Sequence, residues 1–104
     1  MAISQSTIDA LLRDQKGACW KCGRDLYGGY HVHHAVMGRD IRFAKWLDMI
    51  ENLLLICPGC HSNHGALSNL NTRRAAWKWK VEHGYQMREW MDEIPMRVKD
   101  KFDA

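Results

Sequence analysis

No stretch of this sequence is apolar for long enough to cross a membrane, and the longest apolar run, Leu53 to Cys57, has the length of a strand. The first residues, MAISQSTIDALLRD, lack the basic start and apolar core of a secretory signal. We therefore expect a cytoplasmic protein without a membrane partner. In that reducing compartment, the 4 cysteines are better explained as metal ligands than as disulfides.

A large excess of one charge is also missing. The 15 lysines and arginines outnumber the 12 acidic residues only slightly, which gives a formal net charge of +3. This mild basicity permits a nucleic-acid partner without requiring one. The sequence has no internal repeat, and its 104 residues suit a single domain. A core of this size is a modest source of stability, so a structural metal would be a common supplement.

The distribution of apolar residues predicts an α+β domain. Ile8, Leu11 and Leu12 fall on one helical face after a cap at Ser6 or Thr7, and a glycine ends this helix. In chain order, the predicted elements are a helix at about 7–16, an extended segment at 26–36, a buried strand that Asn52 opens, and helices at about 60–67, 72–84 and 85–94. Residues 41–51 fit either an irregular loop or a short helix.

Two C-x-x-C pairs are the strongest single signal. A two-residue spacer lets both thiolates turn toward one ion, and two such knuckles supply tetrahedral coordination for Zn²⁺. Four thiolates leave no open position, so this site is expected to be structural. The ligands are Cys19, Cys22, Cys57 and Cys60. The 34 residues between the pairs exceed what a plain zinc ribbon needs, so another element is expected there.

Histidines cluster around this framework. The interval between the cysteine pairs holds His31, His33 and His34, and the second pair is followed by His61 and His64. A His-His pair on a strand, Asn52 opening the next strand and Cys60-His61 starting a helix resemble the HNH endonuclease motif in its variant with two zinc knuckles. The resemblance covers about residues 19–67.

This resemblance implies a small ββα-metal fold, similar to a treble clef, in which two strands and a helix hold one divalent cation. His34 would be the general base that takes a proton from the attacking water. His33 and His61 would be metal ligands, and Asn52 would hold the loop that orients His34. The implied reaction is metal-dependent hydrolysis of DNA phosphodiester bonds, leaving 5′-phosphate and 3′-hydroxyl ends.

The residues carry a physical argument for the same chemistry. Phosphodiester hydrolysis needs a nucleophile made at neutral pH, and a neutral imidazole with an ordinary pKa of about 6.5 can generate it from water. The reaction also needs charge neutralisation at the phosphate, which a bound Mg²⁺, Mn²⁺ or Ni²⁺ would provide. Two histidines from different elements leave coordination positions open for phosphate and water.

Several of these positions have alternatives. In a regular strand His31 and His33 share a face, so His31 is a rival metal ligand unless the strand ends at His33. His64 lies three residues after His61 and could bind the catalytic cation, touch the phosphate or lie at the surface. Asn52 could be a turn residue that starts a strand, and His83 is most simply a helix C-cap.

A basic segment follows the motif. Arg73, Arg74, Lys78 and Lys80 lie within ten residues that contain no acid, interleaved with Trp77 and Trp79. Such a helix could bind backbone phosphates while docking on the core. The alternative is an amphipathic helix with core tryptophans and solvated charges.

These observations favour an HNH nuclease acting on double-stranded DNA. The chain carries no evident helix-turn-helix or finger for base readout, so weak sequence preference is expected. Specificity would come from a homodimer or from a phage or host protein, since small free-standing HNH proteins resemble those of phages and mobile elements. Two rival readings are a non-catalytic zinc module that binds DNA or protein, and an RNA-cutting relative.

Overall fold

The computed structural model describes residues 3–63 and 69–95. Within these ranges the domain is α+β, with one two-stranded antiparallel sheet and five α-helices. In chain order the elements are α1 (Gln5–Asp14), β1 (His31–His34), a 3-10 turn (Ile41–Phe43), α2 (Ala44–Leu47), a second 3-10 turn (Ile50–Asn52), β2 (Leu53–Ile56), α3 (Pro58–Ser62), α4 (Leu70–Glu82) and α5 (Met87–Glu93). No helix in the described ranges has the length and apolarity needed to span a bilayer.

Helix α1 begins earlier than predicted. The Ser4 side chain, rather than that of Ser6 or Thr7, is the N-cap, and it accepts a hydrogen bond from the backbone N–H of Thr7 at 3.3 Å. The predicted stop is in place, because Gly17 has φ +67° and its N–H donates to the carbonyl of Leu12 at 2.8 Å.

The sheet sits at the centre of the domain. All four residues of β2 are buried, and β2 pairs with β1 so that His31 lies opposite Ile56 and His34 opposite Leu53. Since side chains alternate along a strand, His31 and His33 share one face of β1 and His34 lies on the other. One buried cluster contains Leu54 with side chains of α4 and α5, and a second joins β2 to α1 and the cysteines.

The outer edge of β2 is covered rather than exposed. The buried side chain of Gln15, just after α1, donates to the carbonyl of Leu55 at 2.9 Å and accepts from its N–H at 2.8 Å. The N–H of Trp20 donates to the same carbonyl at 3.1 Å. This edge therefore has partners for its backbone groups, and α1 is fixed to the strand that leads to the second cysteine pair.

Helices α4 and α5 pack against the sheet from the other side. The cap of α4 is Asn69, whose side chain accepts from the N–H of Thr72, so the helix begins before the predicted Thr72 cap. His83 is at the C-cap, and Gly84 follows with φ +82°. Trp90 of α5 is buried and donates its indole N–H to the carbonyl of Trp46 at 2.9 Å. This contact ties α5 to α2.

Candidate metal centre and histidine site

The four cysteines converge on one point. The Sγ atoms of Cys19, Cys22, Cys57 and Cys60 all lie within 4.8 Å of one another. The distance between the Sγ atoms of Cys22 and Cys57 is 3.6 Å. Tetrahedral Zn²⁺ with bonds of about 2.3 Å separates its sulfurs by roughly 3.8 Å. The cluster could therefore hold a metal ion and is compatible with structural zinc.

Local backbone geometry turns each pair of sulfurs inward. In the first pair, the N–H of Gly23 donates to the carbonyl of Cys19 at 2.9 Å, and Gly23 has φ +80°, a conformation that favours glycine. In the second pair, Cys57 is the N-cap of α3 and Pro58 occupies its first turn. The N–H of Cys60 points at the Sγ of Cys57, 3.5 Å away.

These contacts shift the pKa values of the cysteine thiols. The backbone N–H of Cys60 lowers the pKa of Cys57 to about 7. Burial alone would raise the pKa of Cys19, but hydrogen bonds from the backbone N–H groups of Cys22 and Cys57 outweigh it and the net shift is downward. Burial and then the neighbouring thiols raise the pKa of Cys60 to about 12. Four sulfurs this close cannot all ionise without a cation among them, so metal binding would release protons.

His34 is held by a carboxylate. Its Nε2 atom lies 2.7 Å from Oδ1 of Asp48, and each of the two side chains is 16% exposed. Asp48 follows α2, fourteen positions along the chain, in the segment that the sequence leaves as a loop or short helix. Sequence reasoning did not single out Asp48, because no pattern in that segment indicates which strand it would meet.

Asn52 is fully buried, and its amide makes four hydrogen bonds. Oδ1 accepts from the N–H groups of Val36 at 3.1 Å and Met37 at 2.7 Å. Nδ2 donates to the carbonyls of Met37 and Leu47, both at 2.9 Å. The side chain thereby joins the backbone just after β1 to the end of α2. Its own carbonyl accepts from the N–H of Ala35, directly after His34, at 2.8 Å.

The remaining histidines lie around the other face of β1. His33 is buried, and His31, on the same face, is exposed. The ring of His61, from α3, stacks on that of His31 with centroids 4.0 Å apart and planes inclined by 12°. His61 is thus placed over the side of the sheet that His33 also occupies. His64 lies outside the described residues.

The basic segment divides into two parts. Arg74 and Lys78 are exposed and Arg73 is half-buried. Lys78 lines a groove of about 490 Å³ together with Lys21 of the first knuckle. Lys80 was predicted to contact DNA, but its position does not allow this. Its side chain is fully buried, and its ammonium donates to the carbonyl of Ile50 at 2.7 Å.

The burial of Lys80 follows from helical spacing. Thr72, Ala76 and Lys80 are four residues apart and form the stripe of α4 that faces the interior. Trp77 and Trp79 are half-buried on either side of this stripe and pack against the core. Burial lowers the pKa of Lys80 to about 7, although Glu51 and Asp14 oppose the shift.

Comparison with known proteins assigns neither a family nor a function to this chain. Neither a protein-family model, nor a curated protein, nor a solved structure matches this chain. The functional interpretation therefore depends on the residues and their geometry.

Proposed function

We propose that the chain is a metal-dependent DNA endonuclease of the HNH type, a hydrolase of phosphodiester bonds. The observation that carries the proposal is the position of Asn52, whose buried amide holds the backbone that follows His34. The HNH resemblance assigns that task to this asparagine. The placement of His61 over the face of β1 that His33 occupies is a second support, since these two residues would be the metal ligands.

In this proposal the residues divide the work. Neutral His34 takes a proton from a water molecule, whose oxygen attacks the phosphorus as the bond to the 3′ oxygen breaks. The leaving 3′ oxygen takes a proton from solvent water and becomes the 3′-hydroxyl. His33 and His61, on the opposite face of β1 from His34, would hold Mg²⁺ or a related divalent cation, which when bound supplies charge neutralisation at the scissile phosphate. The phosphate would therefore lie across the end of β1, where His34 is the last residue of the strand. The cysteine cluster would hold structural Zn²⁺ and so fix α3 and the first knuckle beside the sheet.

The test is nicking of supercoiled plasmid by zinc-loaded protein, with Mg²⁺, Mn²⁺ or Ni²⁺ varied in concentration. Wild type should nick the plasmid only with added cation. His34→Ala should lose about two to four orders of magnitude in rate, because a positioned proton acceptor is gone. It should keep its zinc and its affinity for Mn²⁺. His61→Ala should instead weaken Mn²⁺ binding, and excess cation should restore part of the rate.

The matched control is His83→Ala, which removes an exposed histidine at the C-cap of α4 and should leave the rate unchanged. Full activity in His34→Ala would exclude the assigned base. A structured RNA offered in place of plasmid separates the RNA-cutting alternative, which predicts preferential cleavage of that substrate.

A second candidate is a non-catalytic zinc module that binds DNA or protein. One observation favours it: within residues 3–63 and 69–95, the cysteine cluster is the one group of three or more His, Cys, Asp or Glu side chains whose ligand atoms converge. This module predicts one metal per chain and no cleavage by wild type with any divalent cation. The plasmid assay and native mass spectrometry therefore distinguish the two functions.

A further inference from the structure

Asp48 is placed to control the chemistry of His34. The 2.7 Å contact joins Oδ1 of Asp48 to Nε2 of His34, and both side chains are mostly buried, so little water competes for either atom. The backbone of Asp48 is fixed as well, because its N–H donates to the carbonyl of Ala44 at 2.9 Å at the end of α2. The contact thus joins two ordered elements.

An ionised carboxylate can only accept hydrogen bonds. Its neighbour Nε2 must then carry the proton of the neutral imidazole, which leaves Nδ1 with a free lone pair. The contact therefore selects one of the two tautomers of His34. It also fixes the plane in which the lone pair of Nδ1 lies, because the ring can no longer rotate without losing the bond.

We propose that Asp48 is the positioning residue for His34, and that Nδ1 is the atom that takes the proton from water. This inference rests on the proposed nuclease function. Asp48 itself need not touch DNA, water or cation. Its task is to keep the imidazole in the tautomer and orientation in which Nδ1 is the base, as a carboxylate does for a catalytic histidine in hydrolases with a Ser-His-Asp triad.

Asn52 gives this pair a common support. Its Nδ2 donates to the carbonyl of Leu47, the residue before Asp48. Its Oδ1 accepts from Val36 and Met37, two and three residues after His34. One buried amide therefore holds the backbones of both partners. The separation of His34 and Asp48 is set by these three hydrogen bonds together with the pairing of β1 and β2.

The tautomer can be measured without any DNA. In two-dimensional ¹⁵N spectra of zinc-loaded protein, at a pH where the imidazole is neutral, wild-type His34 should show a protonated Nε2 and an unprotonated Nδ1. Asp48→Asn offers an amide N–H as well as a carbonyl, so it no longer selects one tautomer, and the His34 signals should shift toward the other form. Assignment comes from comparison with His34→Ala.

Kinetics supply the second readout. Asp48→Asn should lower kcat for plasmid nicking by about 10²–10⁴-fold while KM, zinc content and Mn²⁺ affinity stay close to wild type. Asp48→Glu keeps a carboxylate and should recover part of the lost rate. The matched control is Asp40→Asn, which removes a carboxylate that is 20% exposed and pairs with Arg42 in the same connection. It should alter neither the tautomer nor kcat.

The outcomes separate this inference from the proposed function. If wild type nicks DNA and Asp48→Asn has the wild-type tautomer and rate, Asp48 is not a positioning residue. An equal loss in Asp40→Asn would make the effect one of general structure and would also overturn the inference. If wild type cuts nothing while its His34 tautomer depends on Asp48, the nuclease proposal fails and the contact is left as a structural pair.

Discussion

The imidazole rings of His31 and His61 stack nearly parallel, with centroids 4.0 Å apart. This contact lays the last turn of α3 against β1. It also raises a choice between His31 and His33 as the ligand that joins His61, because both occupy that face of the strand. Burial distinguishes them: His33 is enclosed, whereas His31 is exposed.

We expect His31→Phe to keep Mn²⁺ affinity within about threefold of wild type, since phenylalanine preserves a stacking ring but offers no ligand atom. His33→Ala should weaken binding by about tenfold or more, the scale on which disturbed metal sites lose affinity. Calorimetric titration of zinc-loaded protein with Mn²⁺ measures both. The reverse order of effects would make His31 the ligand and His33 a core residue.

Truncation of Asn52 should be strongly destabilising. Asn52→Ala leaves two backbone N–H groups and two carbonyls without their side-chain partner in the interior, which should cost about 3–5 kcal/mol of unfolding free energy. Urea unfolding followed by tryptophan fluorescence measures the loss. The control is Asn71→Ala, at an exposed position of α4, which should change stability by less than about 0.5 kcal/mol. Equal losses in the two variants would contradict the central role of Asn52.

Stability should rise with pH because of Lys80. Its pKa is about 7 in the folded chain against 10.5 ordinarily, so between these values the unfolded chain binds more protons than the folded one. The free energy of unfolding should therefore increase above pH 7, with a slope of up to about 1.4 kcal/mol per pH unit. Below about pH 7 both states hold the proton, and this contribution is constant at its lowest value.

The measurement compares zinc-loaded wild type with Lys80→Met from about pH 7 to about pH 9. The Lys80 ammonium lies over the ring of Tyr85. Burial and a hydrogen bond to Asp14 raise the pKa of Tyr85, so this pH range stays below the titration of its hydroxyl. The rise should disappear in Lys80→Met and persist in Lys78→Met, since Lys78 is exposed. A slope that survives in Lys80→Met must come from other groups.

DNA binding should depend on the exposed part of the basic segment. Replacing Arg73, Arg74 and Lys78 with Gln, in a His34→Ala background that leaves the DNA intact, should weaken binding to unrelated sequences alike. It should also reduce the salt slope of log K by up to about three, because fewer counterions are released. A control with Gln at the exposed cations Arg13, Arg24 and Arg88 should keep the slope. An unchanged slope in the first variant would place the DNA elsewhere.

Features that depend on local residue spacing could be predicted from the sequence. The C-x-x-C pairs predicted a four-cysteine cluster, and the structure confirms that these sulfurs converge. The α+β class and most helix positions follow from apolar periodicity and from glycines such as Gly17 and Gly84. The predicted start of α1 was wrong because Ser4, Ser6 and Thr7 all carry hydroxyls that can cap a helix, and the local sequence does not show which of them does so.

Features that depend on tertiary contacts were out of reach. Lys80 was grouped with its basic neighbours because charge predicts exposure, whereas its position on the stripe of Thr72 and Ala76 decides its burial. Asp48 meets His34 only because the chain between the strands folds back through α2. The roles assigned to the histidines and to Asn52 stay predictions until the variants are measured.

The 3.6 Å approach of Cys22 and Cys57 joins positions 35 residues apart. A metal shared by them acts as a cross-link, and in the chain-entropy model a closure of this length disfavours the unfolded state by about 4 kcal/mol. That contribution varies only with the logarithm of loop length, about 0.6 kcal/mol for each doubling. The exposed, irregular segment at Gly38 and Arg39 could therefore accept inserted residues at small thermodynamic cost. The positions of the histidines would be preserved while the surface loop between the two strands changed in length and sequence.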